Sequence, residues 1–113
     1  MTKYLISFPS SAMVIPHGEF QAVADAARAV VADAKAAGVY VFAGGIHEGV
    51  APVKVSADGS VAEGTYPETR RIEGGYTILA LPSREAAVAW AAKMAAACRC
   101  DQELREFMDD PMS

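Results

Sequence analysis

The chain has 113 residues, 52% of them hydrophobic and 21% charged, with a formal net charge of −4. That describes one globular domain with a modest core, and the acidic balance leaves no basic stripe to neutralise phosphates, so no nucleic-acid partner is expected. No apolar run approaches about 18 residues, so no membrane span is expected; the N-terminus MTKYLISFPSS lacks the apolar stretch and cleavage site of a secretory leader, which makes the cytoplasm the expected compartment.

Lys3–Phe8 (KYLISF) is β-rich and continuously apolar, the pattern of a buried strand. Pro9 and Pro16 bar regular structure in the segment that follows. A helix is predicted from Glu19 to Ala37, because Phe20, Val23, Ala27, Val30, Val31 and Ala34 recur at three and four residues. Asp25, Arg28, Asp33 and Lys35 fall mostly off this stripe, and Gly38 stands where a left-handed cap ends a helix. Val39–Gly45 (VYVFAGG) reads as a second strand. The turn chemistry of ADGS between Val53–Val55 and Val61 predicts a hairpin.

Gly74–Pro82 (GGYTILALP) is a further strand, stopped by its proline. Ser83 then caps a second helix with Glu85 in its first turn. The buried face of that helix is predicted to be Ala87, Trp90, Ala91 and Met94, with Ala86 and Ala97 beside it; Trp90 and the methionines read as core. Gln102–Met108 fits a helix or a last strand, and the strand is favoured. Cys98 and Cys100, one residue apart, suit neither a structural disulfide nor a zinc site, so reduced thiols are expected, with no metal and no cofactor.

The order β-α-β, hairpin, β-α-β is that of an α+β fold: a ferredoxin-like split βαβ with an inserted hairpin and an antiparallel sheet carrying both helices on one face. Its strands are apolar on both sides (Leu5, Ile6, Phe8; Val39, Val41, Phe42; Ile78, Leu79, Leu81). A bare apolar sheet face needs a cover. Much of the apolar fraction is alanine, which adds little buried area, so a homodimer that pairs two sheets and encloses a cavity is expected.

Polar chemistry is densest in EGTYPETRRIEGGYTIL, residues 63–79. This run resembles the signature of the YCII-related family, in its DGPF branch. Glu63 and Gly64 stand at the acid-Gly step, Thr65 replaces the proline and Tyr66 holds the aromatic place. Glu68 and Thr69 match a Glu-Thr pair, and Gly74, Gly75 and Tyr76 match a Gly-Gly-aromatic. KYLISF, AAGVYVFAGGI, SREAAVAWAAKM and Glu103–Arg105 are similar to other parts of that family, so the resemblance covers about residues 3–107. It implies a ferredoxin-like fold dimerised as a dimeric α+β barrel, with an active site in the cleft. The His-Asp dyad of the other branch is not found here. One relative, a dechlorinating enzyme for a chlorinated aromatic breakdown product, illustrates what the scaffold does.

Glu68 is the foremost catalytic candidate, since a half-buried carboxylate there would serve as acid or base; otherwise it pairs with Arg70 or Arg71 on the surface. His47, after a glycine pair at a strand end, is the second, as a base or as a loop histidine. Arg70 and Arg71 would hold an anion in bidentate fashion or stay solvated. Tyr76 and Tyr66 complete the substrate-binding set, Tyr76 by donating its phenol or by packing in the interface. His17 reads as a loop residue, and Glu103 with Arg105 as a structural ion pair on one strand face. Two functions follow: a cofactor-free enzyme using acid/base chemistry on a small molecule in the dimer cleft, or a non-catalytic small-ligand-binding or regulatory module. Glu68 turned into a pocket beside His47 would favour the first, and Glu68 out in solvent the second.

Overall fold

A computed structural model describes residues 1–112. It is an α+β structure with two helices and an antiparallel sheet. The strands are β1 (Thr2–Phe8), β2 (Tyr40–Gly45), β3 (Val53–Val55), β4 (Val61–Glu63), β5 (Gly75–Leu81) and β6 (Glu103–Glu106); the helices are α1 (Phe20–Ala36) and α2 (Arg84–Cys98). Four strands form the main sheet in the order β2-β5-β1-β6, each antiparallel to its neighbours. Each helix therefore joins two strands that are not neighbours: β5 lies between β1 and β2, and β1 between β5 and β6. β3 and β4 form a separate hairpin.

Side chains alternate across a strand, and the alternation sorts this sheet into two faces. Tyr4, Ile6, Leu79 and Leu81 are buried and cluster with Ala34 of α1 and Ala87, Ala91, Met94 and Cys98 of α2. Both helices thus cover one face. Ile6, Leu79 and Leu81 are fully buried, each contributing about 1.5–3 kcal/mol of transfer free energy. Alanines on α2 let the helix lie close to the strands.

The opposite face has no helix. Leu5 pairs with Ile78, and Ile78 with Phe42, across three strands. Leu5 and Ile78 are half-buried by their neighbours alone, and Phe42 is 51% exposed. The protein's accessible surface is 7759 Å², whereas a folded monomer of 11.9 kDa exposes about 5,900 Å². Its radius of gyration is 15.8 Å, against about 13 Å for a compact chain of this length. The excess comes from the bare face and from residues 46–72, where every residue but Thr65 is exposed.

Local signals act as the sequence predicts at most ends. Ser83 Oγ accepts the Ala86 N–H at 3.1 Å, and Gly38 has φ +74°. Asp58 Oδ1 accepts the Ser60 N–H and shapes the hairpin turn. The last segment is a strand, and Arg105 Nη1 lies 3.1 Å from Glu103 Oε1. Four expectations need correction. A 3-10 turn, Ser10–Ala12, forms after Pro9 where no regular structure was expected. Phe20 is 66% exposed, because it stands in the lining of a groove open to water rather than in the core. Of the methionines, Met94 is core, while Met1, Met108 and Met112 are exposed on the terminal segments. Trp90 is partly buried at the core margin, with Lys93 Nζ 4.7 Å from the ring centroid.

Candidate functional site

The ends of β1 and β2 and the start of β5 meet at one end of the sheet, and a polar cluster forms there. Gly74 makes the junction possible. It has φ +92°, and a Cβ at this position would stand 2.0 Å from the Phe8 carbonyl oxygen; only glycine permits this approach. The Gly74 carbonyl in turn accepts the Ile46 N–H at 3.0 Å.

With the three segments so joined, Ser10 meets two carboxylates. Its N–H donates to Glu73 Oε2 at 3.0 Å and its hydroxyl donates to the same oxygen. The hydroxyl also lies 3.1 Å from Glu48 Oε1. Ser10 Oγ carries one hydrogen, so both carboxylate contacts are satisfied together only by sharing it or by an added proton on a carboxyl. The Ser10 hydroxyl, then its N–H, and then the Arg71 charge hold the Glu73 carboxyl below the ordinary glutamate range.

The predicted site residues take separate places. Glu68 is exposed on a 3-10 turn, Pro67–Thr69, and among the described residues no hydrogen bond or ion pair joins it to His47. His47 is exposed and its Nδ1 accepts the Gly49 N–H at 3.1 Å, closing its own loop. Arg70 and Arg71 are exposed, with Arg71 acting on Glu73 through its charge. Tyr66 is exposed, with Lys54 Nζ 5.3 Å from its ring centroid. Tyr76 is half-buried, in register with Ser7 and Gly44. Of these, His47 stands next in sequence to Glu48 of the Ser10 cluster, and Arg71 two residues before Glu73. His17 is an exposed loop residue.

A different feature has the shape of a binding site. Between α1 and the β2 side of the sheet lies a cavity of about 620 Å³, within the range of small-molecule sites. Phe8, Phe20, Val23, Ala27, Val31 and Met94 are among its walls. It exists because α1 presents small residues, Ala24, Ala27 and Ala32, toward strand positions that are themselves small, Ala43, Gly44 and Gly75. Neither surface fills the space between them. Arg28 and Lys35 also line it, and both are exposed, so they mark where the cavity meets water. Cys98 stands in the lining with its thiol pushed up by burial first and by Cys100 second, which keeps it neutral and a poor nucleophile.

Sequence reasoning missed this cavity and the part played by Ser10, although Tyr76, one of its candidate binding residues, is in the lining. A signal for the cavity was present: Arg28 and Lys35 are seven residues apart, two helical turns, and bracket an alanine-rich flank. A second hollow of about 880 Å³ lies on the helix-free face, lined by Lys3, Val41, Ile78 and Phe107 with residues of both terminal segments. Among the described residues no group of three or more His, Cys, Asp or Glu side chains is placed to hold a metal ion, and no helix is long and apolar enough to cross a membrane. No protein-family model matches the chain, and no curated protein matches it.

Proposed function

We propose that this chain is a homodimeric module that binds a small, largely apolar molecule in the cavity beneath α1. The observation that carries this reading is the cavity itself: about 620 Å³ of apolar-walled space, open to water on one side, in a domain of 113 residues. A concave, largely apolar space of this size with a few polar groups at its border is the usual form of a small-molecule site. The exposed position of Glu68 favours binding over proton transfer by that residue.

The fold reading behind this is the ferredoxin-like split βαβ. It is supported by the strand order β2-β5-β1-β6 and by the two helical connections that each skip one strand. Membership of the YCII-related family, DGPF branch, rests on the residue matches around Glu63–Tyr76. Pairing of two copies as a dimeric α+β barrel is supported by the bare Leu5, Ile78 and Phe42 face, which needs a cover. Cys98 and Cys100 are both free thiols, as befits a reducing compartment such as the cytoplasm.

The test has two parts. Light scattering on the eluting protein is expected to give twice 11.9 kDa; a mass of 11.9 kDa at micromolar concentration removes the dimer. A screen of small apolar molecules, followed through the methyl resonances of Met13 and Met94 in the cavity lining, is expected to yield saturable shifts. Their absence across the screen removes the binding module.

A second reading, an enzyme using acid/base chemistry, is favoured by the Ser10 hydroxyl set between Glu48 and Glu73. A molecule found by the screen would then be chemically converted, and Glu73→Gln would abolish conversion while leaving binding in place.

A further inference from the structure

We infer that the cavity beneath α1 selects an amphipathic anion, an apolar chain or ring ending in a single carboxylate, with the carboxylate held by Arg28 and Lys35. The inference rests on the binding reading above and adds the chemistry of the ligand's polar end.

The protein is acidic, with net charge −4, yet both charged side chains that line the cavity are cationic and, among the described residues, no acidic side chain lines it. Arg28 and Lys35 lie seven residues apart on α1, two turns along one face, on the rim of a space whose interior walls are hydrocarbon. A ligand with its apolar body inward would place its polar end between them.

Neither cation is committed elsewhere by a strong contact. Arg28 Nη1 approaches Asp25 Oδ1 at 3.8 Å, and both side chains are mostly exposed, a pairing that contributes little in water. Lys35 Nζ sits 4.8 Å from the centroid of the Tyr40 ring, itself part of the lining. The guanidinium offers a fork that matches a carboxylate in bidentate fashion, and the ammonium adds a second, mobile donor. The neutral polar groups in the lining, the Thr77 hydroxyl and the Cys98 thiol among them, give a cationic ligand no charge to meet.

The experiment uses the full chain with methyl-labelled methionine, titrated separately with octanoate, 1-octanol and octylammonium. Met13 and Met94 line the cavity, whereas Met1 and Met108 line the hollow on the helix-free face, so the reporters separate the two places. Octanoate is expected to shift Met13 and Met94 and to bind about tenfold more tightly than 1-octanol or octylammonium. In Arg28→Gln/Lys35→Gln, whose two positions are exposed and outside the core cluster, the preference is expected to shrink to within about threefold. Equal affinity for octanoate and 1-octanol, or a preference untouched by the double substitution, overturns the inference and leaves the binding module standing. Shifts confined to Met1 and Met108 overturn it by placing the ligand on the other face. No shift at Met13 and Met94 with any of the three probes overturns the inference together with the module.

Discussion

The N–H and the hydroxyl of Ser10 both donate to one carboxylate oxygen, Oε2 of Glu73, 63 residues further along the chain. This pair fastens the entry to β5 onto the exit from β1. Glu48, from that segment, reaches the same hydroxyl.

Glu73→Gln is expected to lower the melting temperature at neutral pH. The folded protein holds the Glu73 carboxyl below its ordinary range, so the contribution of these bonds is complete above the unfolded chain's glutamate pKa. It is lost as the pH falls through the lowered folded value. The gap in melting temperature between the native chain and Glu73→Gln should therefore close in acid. A gap of constant size from neutral pH to strong acid contradicts this.

Gly74→Ala and Gly59→Ala form a matched pair. Both glycines have positive φ, but a Cβ on Gly59 meets nothing within 4 Å, while one on Gly74 meets the Phe8 carbonyl at 2.0 Å. Gly59→Ala is expected to cost about 1–2 kcal/mol from backbone conformation alone. Gly74→Ala should cost more than about 4 kcal/mol, in the range reserved for forced backbone movement. Denaturant unfolding of the two variants checks the difference.

If two copies pair as proposed, Phe42→Asp is expected to give a folded monomer. Phe42 lies on the helix-free face beside Ile78 and is half-exposed within one protomer, so its replacement removes little from the core of a single copy. A buried unpaired carboxylate in a sheet-on-sheet contact is strongly unfavourable. Light scattering with circular dichroism distinguishes a folded monomer from an unchanged dimer; the latter places the interface elsewhere.

Arg99→Gly is expected to leave stability within about 1 kcal/mol of the native chain. Arg99 ends α2 in the left-handed region, φ 58°, where glycine is relieved of about 1 kcal/mol of strain. Its guanidinium lies 2.6 Å from Glu19 Oε1, with both side chains partly exposed, a pair of similar small worth. Arg99→Ala loses the pair and keeps the strain, and should be the less stable of the two by thermal unfolding.

The elements were legible because their signals are local. Apolar runs gave the central strands, Ser83 and Gly38 set helix ends, and Asp58–Gly59 set a turn; each acts within a few residues of itself. The candidate site was less legible. Glu68, Arg70, Arg71 and Tyr66 form the densest polar run, yet the fold holds them out in water. Ser10 drew no notice as one serine in a proline-bounded loop, and it became a hub only when β1 and β5 were paired.

From the sequence alone came the α+β order, the two-sided apolar strands and the alanine-rich buried face of α2, because these follow from residue periodicity along one element. Tertiary structure alone decided that the alanines of α1 oppose Ala43, Gly44 and Gly75 and leave a hollow, and that Arg28 and Lys35 border it. A void is a property of two surfaces that fail to fill each other, and their separation depends on how helix and sheet are held apart by everything else that packs.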